Sequence, residues 1–479
     1  MGIETPDVAQ PAAEKHNGLL NLLSVRGTHE HSKQEHSSGA TVPKAPDAEI
    51  KSNFAGLPEV SSKTRTLDLN TPLYPNEKRP NSGNDSTLLP ANKYEKIVSE
   101  SVKDLSTEAN FTAYTQAALQ RDTDRFPAVR NEKDQTTTYT IEQIGLTDRN
   151  LKPEDKNAEH FKRLVNITVP DGATSLKDCK FDYKDRQIID VKEFDALVDH
   201  AQKRQSDLSA RAPEDAHLVG PKDMSFYTHG IRTGAEEADF TALALQLTNG
   251  HSVINVDWKS TAIPEETYGL TKAYELNTKG AAESYPKFEK QLDLAINHIG
   301  ADRTDMIAFS HGAAFDSKYL QHRRDTNAPK LDEIVFSHPD VKCSTMKPVD
   351  SSGQLAEADR FYSSIAKSAF VIGGTNDLAM TGAAWNECES APKGTSWLEN
   401  HNKQMALHAR LGNGGEISRT LVAGHGGTYV TEPIIKEKAK NSNHFVNMVG
   451  ISSLLNNPGK IATKANTKDC ATKIATLER

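Results

Sequence analysis

From about residue 216 onward, short apolar runs alternate with longer amphipathic stretches. Residues 224–228, 253–258, 334–337, 369–373 and 420–423 are the short runs, and each reads as a buried strand. Between them, Phe240, Leu243, Leu245 and Leu247 mark one helix, and Tyr274, Tyr285, Phe288, Leu292 and Ile296 mark a long one. An amphipathic helix over 445–455 closes the pattern. Strand and helix in strict alternation predict a mostly parallel sheet covered on both faces.

Upstream the pattern is mixed. Ile97, Val98, Val102 and Leu105 have helical spacing, residues 164–170 and 188–191 read as strands, and a helix runs through Phe194, Leu197 and Val198. Residues 91–215 therefore form a mixed α+β region that contributes early strands or a cap, with no chemistry of its own. Residues 1–90 are polar and poor in aromatics, which reads as a disordered arm. The apolar cluster at 18–23 interrupts it, and His29, His31 and His36 read as solvated polar residues. The division is an arm over 1–90, the mixed region over 91–215, an α/β domain over 216–460 and a tail over 461–479. No internal repeat is visible.

Composition supports the arm: only 36% of the 479 residues are hydrophobic and 6% aromatic. A formal net charge of −8 disfavours nucleic acid or an anionic membrane as a general partner. No apolar run spans a bilayer and the N-terminus lacks a signal-peptide pattern, so the expected location is cytoplasmic, or secreted by a route without an ordinary signal. In the second case the arm would bind a chaperone or secretion machinery. Cys179, Cys343, Cys388 and Cys470 are too far apart for zinc-type pairs, and free thiols are the expectation. No metal and no organic cofactor is implied.

The chemistry centres on Ala308-Phe309-Ser310-His311-Gly312, where an apolar run turns into helix-favouring residues. Small residues two before and two after a serine allow a sharp strand-to-helix turn that exposes a nucleophile. This A-x-S-x-G is one methyl away from the usual G-x-S-x-G. In an α/β hydrolase the acid and then the histidine follow the nucleophile along the chain. Asp377, after the run ending at 373, is the expected acid, and Asp340, after the previous strand, is the alternative. Two histidines compete for the base: His425, read as following the last strand, and His444, at the start of the final helix. The oxyanion donors would be the backbone N–H of His311 and of Ile231, the residue after His229-Gly230. His229, Gly230, Arg232 and Trp258 are the expected pocket residues.

Tyr227-Thr228-His229-Gly230-Ile231-Arg232-Thr233, Asp257-Trp258-Lys259-Ser260 and Ala308-Phe309-Ser310-His311-Gly312 resemble an uncharacterised bacterial α/β hydrolase family. Its members carry H-G-aromatic-N-T, W-P-S and A-H-S-M-G at corresponding positions. Pro339-Asp340-Val341, Asn376-Asp377-Leu378-Ala379 and Arg410-Leu411-Gly412 are similar to its later segments, so the resemblance covers roughly 222–456. It implies that the histidine lies well after Arg410-Leu411-Gly412 and precedes an aromatic, which favours His444-Phe445 over His425. Ile231-Arg232, Lys259 and His311 depart from the family pattern around the pocket.

The expected function is hydrolysis of an ester-like bond (carboxylic ester, lipid or thioester) through Ser310, His444 and Asp377 and an acyl-enzyme. A non-catalytic binding module of the same fold, or a secreted bacterial effector, is the alternative.

Overall fold

The computed structural model describes residues 65–66, 115–211, 224–260, 265–347, 355–384, 410–431, 451 and 455. Within those spans, residues 150, 153, 174–177, 251, 357–358, 375–376, 378–379, 381–382 and 414–415 are not described. The chain divides into two units, Met1–Thr64 and Arg65–Arg479, and every described residue belongs to the second. The arm over 1–90 (apart from residues 65–66), the helix around 94–105, the tail over 461–479 and His444 therefore lie outside the described residues. So do Cys388 and Cys470, whereas Cys179 and Cys343 are both buried.

The strands in chain order are β1 (Arg65–Thr66), β2 (Val129–Asn131), β3 (Thr136–Thr147), β4 (Glu159–Pro170), β5 (Lys180–Tyr183), β6 (Gln187–Ile189), β7 (Met224–Thr228), β8 (Ser252–Asp257), β9 (Thr304–Phe309), β10 (Leu331–Ser337), β11 (Ala366–Gly373) and β12 (Thr428–Thr431). The helices are α1 (Gln116–Gln120), α2 (Val191–Arg211), α3 (Ala235–Asn249), α4 (Glu265–Ile299), α5 (Gly312–Asp325), α6 (Phe361–Ile365) and α7 (Glu416–Gly424). All the strands join one sheet, in the order β1-β6-β4-β3-β8-β7-β9-β10-β11-β12, with β2 on β3 and β5 on β4. From β3 to β12 every neighbouring pair is parallel, and the β1-β6-β4-β3 side is antiparallel.

Every residue of β7 and β8 is buried, because helices cover both faces of the parallel part and leave no polar side to the strands. β4 belongs to the antiparallel edge, and its burial alternates. Phe288, Leu292 and Ile296 of α4 pack on one face with Phe315 and Leu320 of α5. Phe240, Leu243 and Leu247 of α3 pack on the other with Leu119 of α1 and with Ile451 and Leu455. Of the closing helix expected over 445–455, those last two residues are described, both helical and buried.

The order β8-β7-β9-β10 contains a topological switch point. The connection leaving β7 runs one way, to β8, and the connection leaving β9 runs the other, to β10. In open α/β sheets the crevice outside the carboxyl ends of two such strands is where ligands bind. This parallel sheet, with helices on both faces and a serine elbow at its switch point, is the α/β hydrolase fold.

One expected strand is a helix. Residues 420–423 belong to α7, where Ser418, Leu421 and Val422 are buried while Arg419 and Ala423 are exposed. That is i, i+3, i+4 spacing, which a four-residue apolar run is too short to distinguish from strand alternation. The last strand, β12, follows it.

Candidate active site

Two residues, Ser310 and His311, connect β9 to α5. Ser310 has φ 54°, a left-handed conformation that costs a residue with a side chain about 1–3 kcal/mol. Neighbouring backbone holds it there: its N–H donates to Ser337 O (3.0 Å), and its carbonyl accepts from the Asp340 N–H (2.9 Å). The small residues of the motif now have physical reasons. A methyl on Gly312 would lie 2.4 Å from Thr228 O and 2.5 Å from His229 O, so α5 could not pack against the end of β7. A methyl on Gly230 would lie 2.9 Å from Ser310 Cβ. Ala308 is wholly buried in the centre of the sheet, paired with Thr228 on one side and Phe336 on the other.

The loop after β7 lies directly beside this elbow. Arg232 also has a positive φ, 61°, and its N–H donates to Asn277 Oδ1 (3.3 Å). The Thr233 N–H donates to Ser260 Oγ (3.2 Å), and the Trp258 indole N–H donates to His229 O (2.8 Å). Among the described residues, the backbone N–H groups of Ile231 and His311 have no acceptor. The His311 N–H also belongs to the N-terminus of α5, where the helix dipole favours negative charge.

His229 and Trp258 lie beneath the loop after β7. Both are completely buried, their rings stacked with centroids 5.2 Å apart. His229 Nδ1 is 2.8 Å from Gly230 O, and Nε2 is 3.1 Å from Asp257 Oδ1 and 3.3 Å from an Arg149 nitrogen. Burial lowers the His229 pKa, although Asp257 opposes that. These residues support the loop from beneath. Ile231 and Arg232 are its partly exposed members.

Asp340 is a buried hub. Its Oδ2 lies 2.8 Å from His311 Nδ1 and accepts from the Tyr274 hydroxyl (2.8 Å), while Oδ1 accepts from Arg410 Nε (2.6 Å). Burial pushes its pKa up, but the His311 hydrogen bond and the His311 and Arg410 charges hold it below the usual carboxylate range. Both oxygens are therefore engaged in fixing the imidazole next to the nucleophile and the loop at Arg410.

Asp377 is completely buried beyond the carboxyl end of β11. Its Oδ2 lies 2.8 Å from His338 Nδ1, and its Oδ1 accepts from the Met380 N–H (3.0 Å). His338 directly follows β10 with φ 48°, anchored by its N–H to Ile372 O (2.8 Å). His338 is not among the residues expected from the sequence, although Ser337-His338-Pro339-Asp340 sits at a strand's carboxyl end beside the elbow.

His425 is at the other end of the sheet. It sits between α7 and the amino end of β12, whereas Ser310 follows the carboxyl end of β9, and the intervening strands are all parallel. Its Nε2 is 2.9 Å from Lys347 O, and its Nδ1 accepts from the Phe361 N–H (3.3 Å). It cannot reach Ser310. Reading 420–423 as a strand had put His425 at the wrong edge.

Among the described residues, no group of three or more His, Cys, Asp or Glu is placed to hold a metal ion, and no helix is long and apolar enough to cross a membrane.

No protein-family profile matches the chain, and no curated protein is similar to it by sequence. Solved structures are similar to it. A putative esterase from Staphylococcus aureus is 12% identical with TM-score 0.22, the match covering 34% of this chain and 61% of that one. An arylesterase is 11% identical with TM-score 0.29, covering 77% and 97%. An esterase from Pyrobaculum calidifontis is 12% identical with TM-score 0.27, covering 78% and 96%. At these values the fold assignment rests on strand order and the elbow.

Proposed function

We propose that the protein is a serine hydrolase acting on a carboxylic ester, a lipid ester or a thioester. One observation carries this reading: Ser310 is held in a left-handed conformation on a strand-to-helix elbow at the switch point of the sheet. Strain of this kind persists only where the surroundings over-determine it, and it clusters at functional sites.

In the proposed reaction, His444 takes the Ser310 hydroxyl proton as Oγ attacks the acyl carbon. The developing oxyanion is held by the N–H groups of Ile231 and His311. His444 then returns the proton to the leaving group, which departs as an alcohol or thiol. Water, deprotonated by the same imidazole, attacks the acyl carbon; the acyl–Oγ bond breaks, the acid leaves, and the imidazolium returns its proton to Ser310 Oγ. Asp377 orients His444, and His338 braces Asp377.

A fluorophosphonate probe tests the reading. The wild-type chain is expected to label at Ser310 and to hydrolyse short p-nitrophenyl esters, while folded Ser310→Ala does neither. Absence of label on the folded wild-type chain would leave a non-catalytic binding module.

A further inference from the structure

The antiparallel edge of the sheet sends one side chain into the candidate site. Arg149 follows β3, far upstream of every motif around Ser310, and its side chain is 8% exposed. Its Nε donates to Asp257 Oδ1 (2.6 Å), and one terminal nitrogen donates to Ser260 O (2.8 Å). The other terminal nitrogen donates to Thr233 O (2.8 Å) and lies 3.3 Å from His229 Nε2. One guanidinium thus ties the loop after β7 to the loop after β8. Its contacts at His229 and Thr233 bracket Gly230, Ile231 and Arg232.

The guanidinium is itself fixed. The second oxygen of Asp257 accepts from Arg186 (2.5 Å), which also makes paired bonds to Asp239 (2.7 and 2.6 Å). Asp257 therefore cannot turn away without breaking a second buried ion pair.

We infer that Arg149 is a positioning residue for the oxyanion site: it holds the strained Gly230–Arg232 turn so that the Ile231 N–H keeps its place beside Ser310. The inference rests on the proposed hydrolase reading. A planar fork of donors suits three acceptors at the ends of two strands, Asp257 Oδ1, Ser260 O and Thr233 O, and a lysine ammonium cannot reproduce it. A displacement of about 1 Å in such a site costs on the order of 100-fold in rate.

The test uses the full-length chain and Arg149→Lys. Its kcat on p-nitrophenyl acetate is expected to fall about 10- to 100-fold, with KM changed by less than about 3-fold, because a displaced oxyanion donor acts on the transition state. Amide exchange at Arg232 and Thr233 should accelerate while β9 and α5 exchange as in the wild type. A folded variant with wild-type kcat and wild-type loop exchange overturns the inference. So does faster exchange across the whole sheet, which would make Arg149 a general stabiliser. Should the variant not fold, the wild-type loop decides: protected amides at Arg232 and Thr233, whose N–H groups have acceptors, support the clamp, and exchange of both at the free-peptide rate refutes it. If the wild type never labels with fluorophosphonate, the hydrolase reading fails, whereas the exchange measurements still judge the clamp.

Discussion

His338 Nδ1 lies 2.8 Å from Asp377 Oδ2, with both side chains completely buried at the carboxyl edge of β10 and β11. The carboxylate expected to serve the catalytic base thus already has one imidazole beside it, from a residue whose own backbone is strained at φ 48°. His338→Phe fills the same space and removes that partner. Losing one hydrogen bond to a buried charged group costs about 1–3 kcal/mol, so kcat should fall roughly 10- to 100-fold with Ser310 still open to fluorophosphonate. An unchanged kcat would remove His338 from the site.

Ser310→Gly should be more stable than wild type and inactive. Glycine adopts φ 54° without the penalty a side chain carries, so relief of about 1 kcal/mol is expected, less what glycine gives up in the unfolded chain. Ser310→Ala keeps the strain and gains nothing. Urea midpoints of the three proteins provide the comparison.

Gly312→Ala should cost about 1–3 kcal/mol, since its methyl would meet two backbone carbonyls at 2.4 and 2.5 Å that cannot move without shifting β7. Thermal denaturation measures the loss. By contrast, Gly172→Ala meets no packing obstacle, only the strain of φ 74°.

Two buried groups give the stability curve opposite slopes. Burial raises Asp316 well above the usual carboxylate range despite the hydrogen bond from Thr228 Oγ1 at 2.8 Å. The folded state then holds a proton that the unfolded state releases above about pH 4, so stability falls as pH rises past that point. Burial lowers His160 to about 4 from an ordinary 6.5, with Asp190 partly opposing it, so stability falls as pH drops from about 6.5 towards 4. Asp316→Asn should flatten the upper limb and His160→Phe the lower one, in urea midpoints from pH 4 to 8.

The sequence disclosed the parallel half of the sheet almost completely. β7 and β8 are unbroken apolar runs because both their faces are covered, and the elbow is readable because sterics restrict what can stand at 308, 310 and 312. α7 was misread because four apolar residues contain little more than one helical turn, and that error carried His425 to the wrong end of the sheet. His229 and Trp258 look like pocket residues by position along the chain, yet both are completely buried, and His229 lies against Arg149, a partner 80 residues away. The Asp377 and His338 pair, separated by 39 residues, is equally a product of strand order, which local pattern does not encode.

Arg149, Arg163 and Arg186 all come from the antiparallel edge, and their acidic partners Glu236, Asp239 and Asp257 all come later in the chain. During synthesis the three cations therefore emerge first and have to wait, Arg149 for 108 further residues, before their counter-charges exist. Conversely, a chain begun at β7 would leave the two buried carboxylates, Asp239 and Asp257, without these cations, and an unpartnered buried charge costs about 3–5 kcal/mol. The buried ion pairs at Asp239 and Asp257 are therefore complete only once the segment holding β3 to β6 has docked on the motifs after residue 216.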